Sequence, residues 1–173
     1  KGVLVLLSDS TNAEKPGYTR SERYVGNTFD ETFRLATNDR IIIATFATNI
    51  HRLQQVIHAA YKYGRKVAVV GRSMVNAVSV ATELGYLEIP EDILVELEEA
   101  NRLPKNKVAI LTTGSQGEPM SALTRMAFSD HRQVEIMPGD TVIISATPIP
   151  GNEKLVSRII DQLFKLGAKV IYE

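Results

Sequence analysis

The sequence predicts an α/β fold built on an open, mostly parallel sheet with helices on both of its faces. Short runs of β-branched and aliphatic residues alternate along the chain with segments whose apolar residues recur at helical spacing. Several of the short runs are apolar throughout, as expected of strands that helices cover on both sides. This alternation favours right-handed crossover connections between parallel strands, as in Rossmann-like and flavodoxin-like domains.

Six segments are predicted to be strands because each is short, apolar and rich in β-branched residues. They are Val3–Leu7, Ile41–Thr45, Val67–Val70, Val108–Leu111, Val142–Ile144 and Lys169–Tyr172. The segment 131–140 is predicted to form a short strand followed by a turn at Pro138 and Gly139. The segment 88–107 fits either a helix or an extended edge strand, and its pattern does not decide between them.

Helices are predicted between these strands. A weaker one covers about residues 21–35, with Val25, Phe29 and Phe33 on one face. Three clearer helices begin near residues 50, 74 and 155, and glycines that stop them follow at Gly64, Gly85 and Gly167. Ser73 is predicted to cap the second of these, and Pro119 fits the first turn of a further helix.

The composition restricts the class of protein. The chain has 173 residues, 44% of them hydrophobic, which suits one domain with a real core. Its 20 basic and 20 acidic residues balance, so any nucleic acid must be held by a local site and not by a global basic field. Without cysteine there is no disulfide framework or thiolate metal site. We expect a cytoplasmic domain with no membrane partner, and both ends look cut from a longer chain.

The predicted strands end in polar segments. The sequences SDSTN, FATNIHR, GRS, TTGSQGE and SATPIPGNE follow the first five strands in turn. Because the carboxyl ends of parallel strands meet at one edge, where open α/β sheets bind ligands, these segments should converge there. Hydroxyls, amides, glycine backbone and free helix N–H groups all suit phosphate oxygens. The sequence therefore predicts a site for a phosphorylated ligand at this edge, which we call the carboxyl rim.

Each rim residue also has a simpler interpretation. Thr48 and Asn49 fit helix caps as well as phosphate ligands, and Arg52 fits a solvated helix charge as well as a phosphate partner. Asp9, at the end of an apolar run, is expected to be partly buried and to serve either as a structural cap or in catalysis. The segment TTGSQGE supplies more small polar groups than a cap needs, which favours a ligand role for it.

Longer motifs resemble a known family. The segments LLSDSTNAEKPGYTRSERYVG, ATFATNIHRLQQVI, GRSM, TTGSQGEPMSALTRMA and PGDTVIISATPIPGNE stand in an order and spacing similar to those of bacterial ribonuclease J. That family belongs to the β-CASP group of the metallo-β-lactamase superfamily, and the resemblance covers essentially all of the chain. It implies that residues 1–173 are a β-CASP domain, an α/β insert within a lactamase domain that the first residues join.

The resemblance implies a zinc-dependent phosphodiesterase that degrades RNA in the 5′→3′ direction, prefers a 5′-monophosphate end and also cuts internally. Asp9 would correspond to an acid that orients a histidine and does not itself bind metal. The implied RNA or phosphate contacts are Thr48, Asn49, Arg52, Thr113, Gly114, Ser115, Gln116 and Glu118. Family members are generally dimers or tetramers, which implies a homo-oligomer or a complex of paralogues for the whole protein.

The chain also departs from the family pattern. The His-x-His-x-Asp-His metal motif is absent, and His51, His58 and His131 do not have the spacing of a metal site. We therefore expect no zinc bound to this chain and no nuclease activity from it alone. Two other hypotheses stay open on the residues themselves: a free-standing Rossmann-like module that binds a nucleotide or phosphate without catalysis, and a structural or interaction domain.

Overall fold

The computed structural model describes residues 2–10, 13–14, 16–18 and 21–172. Within these ranges it contains a sheet of five parallel strands in the order β2-β3-β1-β4-β5. The strands are β1 (Ile41–Ala44), β2 (Lys66–Val70), β3 (Val108–Thr112), β4 (Thr141–Ile144) and β5 (Lys169–Tyr172). The α/β class and the parallel sheet are therefore confirmed, and each of these strands begins or ends within a residue of its predicted bounds.

One helix precedes β1, and the others lie between strands in the chain, as the alternating pattern predicts. They are α1 (Glu22–Leu35), α2 (Ile50–Lys62), α3 (Arg72–Glu83), α4 (Leu97–Ala100), α5 (Ala122–Ala127) and α6 (Glu153–Lys165), with a 3-10 turn at Lys105–Lys107. In the part of the chain that the structure describes, no helix has both the length and the apolarity needed to cross a membrane.

Alternate residues of each strand build two separate cores. In β1, Ile41 and Ile43 pack with α1, α2 and α3, whereas Ile42 and Ala44 pack with α4, α5 and α6. This alternation follows from the pleat of a strand, whose successive side chains point to opposite faces. Every residue of the three central strands is buried because helices cover both faces of the sheet.

Three helices end just before the glycines predicted to stop them. Gly64, Gly85 and Gly167 have φ values of 63°, 72° and 81°, a left-handed conformation that ends a helix without a steric penalty. The prediction of a Ser73 cap is wrong: α3 begins at Arg72, two residues earlier than that cap requires, and Gly71, with φ of 103°, precedes it. The prediction for Pro119 is also wrong, because α5 begins at Ala122 with the Ser121 side chain as its cap.

Two strand predictions need correction, and the segment whose pattern is ambiguous contains elements of both kinds. Val3–Leu7 lies outside the sheet with side chains 67–97% exposed, because no described strand pairs with it. In the segment 131–140, Val134 and Ile136 are buried as a strand pattern requires, but their backbone joins no sheet, and only the turn at Pro138–Gly139 is present. The ambiguous segment 88–107 contains a single bridge, Leu94 to Val67, followed by α4 and the 3-10 turn.

The amino ends of the strands are fixed by buried charged groups. The Arg65 guanidinium is 4% exposed and donates to the carbonyl oxygens of Ala36, Asp39 at 2.8 Å and Val108 at 3.1 Å. Burial lowers the pKa of Arg65, and the charge of Asp39 opposes that change. These contacts tie β1, β2 and β3 together at the edge of the sheet opposite the carboxyl rim.

Candidate functional site

The carboxyl rim brings together the loops that follow β1, β3 and β4. β1 lies between the other two strands, and its loop leads to α2 on one face, whereas the β3 and β4 loops lead to α5 and α6 on the other. Neighbouring loops that diverge to opposite faces leave a crevice between them, which is where this architecture binds ligands.

Hydrogen bonds that involve Thr45 and Ser145 hold the three loops in register. The Thr45 N–H donates to the Thr112 carbonyl at 3.2 Å, and the Thr45 hydroxyl donates to the Ser145 carbonyl at 3.1 Å. The Ser145 N–H donates back to the Ala44 carbonyl at 2.8 Å. The convergence predicted from the polar strand ends is therefore present for these loops.

Gln116 joins the β3 loop to the β4 loop. Its side chain is 2% exposed, and its amide nitrogen donates to the Thr147 carbonyl at 3.1 Å. Its amide oxygen accepts the Ile149 N–H at 2.7 Å and the Asn152 side chain at 3.4 Å. The carboxamide is thus committed to positioning residues 147–152, and Ser115 beside it is also buried.

The glycines of TTGSQGE are required by packing within the protein. A Cβ on Gly114 would lie 2.4 Å from the Ser121 hydroxyl oxygen, and a Cβ on Gly117 would lie 2.7 Å from the Leu155 Cβ. Both glycines also have positive φ values, of 107° and 77°. The β3 loop is therefore pressed against the first turns of α5 and α6, which fixes its shape.

The hydroxyls that remain accessible at the rim come from all three loops. Thr48 and Thr147 are exposed and Thr113 is half-buried. Glu118, also exposed, adds a negative charge to the same loop as Thr113. Sequence reasoning included the β4 loop in the rim but named no residue in it; the polar run directly after the strand was the available indication for Thr147.

Asn49 serves as a helix cap. Its side-chain oxygen accepts the Arg52 N–H at 3.2 Å at the start of α2. One of its two predicted interpretations is thus confirmed, and contact with a ligand stays a prediction. By contrast, α3 has no side-chain cap, and its N-terminus adjoins the β3 loop, since a Cβ on Gly71 would lie 2.8 Å from the Thr113 hydroxyl oxygen.

Arg52 lies at the rim but is already paired. One terminal nitrogen donates to the Ser145 carbonyl at 2.7 Å, and the other donates to the Glu22 carboxylate at 2.7 Å. Its side chain is 12% exposed and borders a crevice of 220 Å³ between the start of α1 and the end of β4. A phosphate bound by Arg52 would compete with the Glu22 carboxylate for the same guanidinium.

Asp9 does not have the predicted environment. It lies in the extended segment after Val3–Leu7 and is exposed, so the expected partial burial is wrong for this structure. Partial burial of Asp9 is expected because it follows a predicted strand, Val3–Leu7. That segment is not part of the sheet, so neither it nor Asp9 is buried.

The described residues do not suit a metal ion. They contain no group of three or more histidine, aspartate or glutamate side chains that could hold one. His131 is used in the fold, since its Nδ1 accepts the N–H groups of Gln133 at 3.3 Å and Val134 at 3.1 Å. Burial and the nearby Arg125 charge lower the pKa of His131, while Asp130 opposes them.

Comparison with known proteins finds close relatives over the whole chain. Residues 38–163 match the family described as ribonuclease J, β-CASP domain. The chain is 54% identical to ribonuclease J of Thermus thermophilus, 50% to ribonuclease J2 of Bacillus subtilis and 51% to ribonuclease J of a Synechocystis species. Each match covers 99% of the chain but only 30%, 31% and 27% of the respective relative. These matches favour the nuclease hypothesis over a free-standing nucleotide-binding module.

Proposed function

Because the chain belongs to the ribonuclease J β-CASP domain family, we propose that its carboxyl rim holds the sugar-phosphate backbone of RNA for a ribonuclease. The observation that supports this most strongly is the joining of three polar loops, through Thr45 and Ser145 between the β1 and β4 loops and through Gln116 between the β3 and β4 loops, which places hydroxyls from separate loops at one edge of the sheet. Hydroxyls and backbone N–H groups position a nucleic-acid backbone without reading its sequence.

The proposed contacts divide into two groups by their burial. Thr48, Thr113 and Glu118 are accessible enough to face the RNA, together with the uncapped N-terminus of α3. Gly114, Ser115 and Gln116 are buried, so they act on the RNA by fixing the shape of the β3 loop. Asn49 and Arg52 are intermediate in burial. Arg52 would bind phosphate once its hydrogen bond to the Glu22 carboxylate is broken.

The hydrolytic step belongs to residues outside this chain. We propose that residues 1–173 form one β-CASP domain of a zinc-dependent ribonuclease whose metal ligands lie in the adjoining lactamase domain. When bound there, zinc would activate water for attack on phosphorus. Asp9, in the segment that joins that domain, would support a metal-binding histidine without touching the metal. On this proposal the isolated chain does not cut RNA.

The finer properties are those that the resemblance to the ribonuclease J family implies. We propose that the whole protein acts in the cytoplasm on RNA with a 5′-monophosphate, mainly in the 5′→3′ direction and also internally. We further propose that it works as a homo-oligomer or as a complex of paralogues. Arg52 pairs with Glu22 at the rim, so this pair adds no net positive charge that would attract RNA over a distance.

Substituting the rim threonines tests the binding role in the full-length protein. Thr48→Val and Thr113→Val remove hydroxyls and keep side-chain volume, and together they should weaken binding of a 5′-monophosphorylated oligoribonucleotide about tenfold or more. The matched control is Thr37→Val, an exposed threonine before the amino end of β1. Fluorescence anisotropy gives the dissociation constants. Equal affinity in the double variant and the control would contradict a rim that binds RNA.

A further inference from the structure

A second groove runs along the outer edge of β2, on the side away from β3. Its volume is about 980 Å³, and Val69 and Val70 form its floor. One wall is α3, which belongs to the core that includes α1 and α2, and the other is α4, which packs against the opposite core. The groove therefore lies at an edge of the sheet, between the two helical layers.

Only part of this sheet edge is covered. The Val67 N–H donates to the Ile93 carbonyl at 2.8 Å, and the Val67 carbonyl accepts the Val95 N–H at 3.0 Å. Beyond Val95 the chain turns away into α4. Since alternate residues of a strand direct their backbone groups to the same side, those of Val69 also face outward, and no residue that the structure describes pairs with them.

Both walls carry acidic groups, and the α3 wall adds apolar ones. On the α3 side, Val75, which is 48% exposed, and Val78 line the groove together with Ser79, Thr82 and Glu83. On the α4 side, the groove is bordered by Glu96, Glu98 and Glu99. Among the described residues, no lysine or arginine lines the groove, and none of these glutamates forms an ion pair with one.

We propose that this groove docks an extended, basic segment of a partner protein, which adds a strand beside β2. Backbone groups of the segment pair with Val69, in the manner of strand addition to an open sheet edge. Because side chains alternate along a strand, apolar ones enter the α3 side while lysine or arginine faces the glutamates of the α4 side. The carboxylates disfavour RNA along this groove, which meets the carboxyl rim at Gly71, at the start of α3.

A model peptide tests the proposal on the full-length protein. The probe is a fluorescein-labelled octapeptide of alternating valine and lysine, with a valine–glutamate octapeptide for comparison. Glu96→Lys combined with Glu99→Lys should weaken binding of the lysine peptide about tenfold or more. The matched control, Glu31→Lys combined with Asp161→Lys, changes the net charge equally at exposed positions on α1 and α6, which do not line the groove, and should keep the affinity within about twofold.

Hydrogen exchange then shows where the peptide sits. Binding of the lysine peptide should slow exchange in residues 66–70, and excess RNA should leave that protection unchanged. The proposal is overturned if the lysine peptide does not bind at millimolar concentration or binds no better than the glutamate peptide. It is equally overturned if both double variants lose affinity alike, or if protection appears in residues 113–121 and RNA removes it.

Discussion

Gly117→Ala should destabilise the protein because the new methyl group would clash with Leu155, including its backbone. The new Cβ would lie 2.7 Å from the Leu155 Cβ and 2.8 Å from the Leu155 carbonyl carbon. Those atoms belong to the first turn of α6, which cannot move as a flexible side-chain end can. Either the β3 loop or the helix has to shift, and a shift of the loop disturbs the bonds that Gln116 makes with the β4 loop.

Two terms set the expected magnitude. Alanine in the left-handed conformation is strained by about 1–2 kcal/mol, and forcing extra atoms into a packed site costs about 1–3 kcal/mol more. Gly139→Ala is a matched control, because Gly139 has φ of 83° and no atom lies within 4 Å of its would-be Cβ. Gly139→Ala should therefore show only the strain of about 1–2 kcal/mol, and Gly117→Ala should show the sum of about 2–5 kcal/mol.

Urea unfolding followed by circular dichroism measures both changes, provided that the slope with denaturant stays the same in the three proteins. If Gly117→Ala and Gly139→Ala unfold at the same urea concentration, the close contact between the β3 loop and α6 is not a packing constraint. The same result would mean that packing against α6 does not require a glycine at position 117.

Other consequences follow from buried polar groups. Gln116→Leu should lower the free energy of unfolding by about 1–3 kcal/mol in urea titrations. It should also weaken RNA binding, because the Thr147 carbonyl and the Ile149 N–H both lose their hydrogen bond to the Gln116 side chain. Arg65→Met should lower the free energy of unfolding by about 2–4 kcal/mol, since the backbone carbonyls at the amino ends of the strands lose a buried charged donor. The folded-state pKa of His131 is lowered, so below about pH 6.5 the unfolded chain takes up a proton that the folded one resists. Urea unfolding from pH 7.5 to 5 should therefore show wild type losing stability relative to His131→Asn, and parallel profiles would contradict this.

The regular elements of the fold could be predicted because local patterns determine them. β5 matches its predicted bounds, and α1 matches within one residue because Ser21 caps it and Phe29 and Phe33 line one face. Val3–Leu7 has the same local pattern as a strand and yet remains outside the sheet. A run of apolar residues predicts that a segment can pair, but not that a partner strand is available to it.

The location of the rim could be predicted from the sequence. Which rim residues are exposed to a ligand and which hold neighbouring loops together could not. Parallel strands bring their carboxyl ends together whatever the loops contain, so the polar ends of β1, β3 and β4 had to converge. Whether Gln116 would face a ligand or hold a neighbouring loop depends on the path of residues 147–152, which no local pattern determines. Arg52 is similar, because its pairing with Glu22 joins residues 30 positions apart.

Crosslinking of RNA to the full-length protein tests the central claim most directly. A short 5′-monophosphorylated RNA with 4-thiouridine near its 5′ end is irradiated with the protein, and the crosslinked peptides are mapped by mass spectrometry. Crosslinks in this domain should concentrate in residues 45–49, 113–121 and 145–152. Crosslinks concentrated instead at the amino ends of the strands, in residues 36–40, 104–108 and 137–140, would contradict an RNA site at the carboxyl rim.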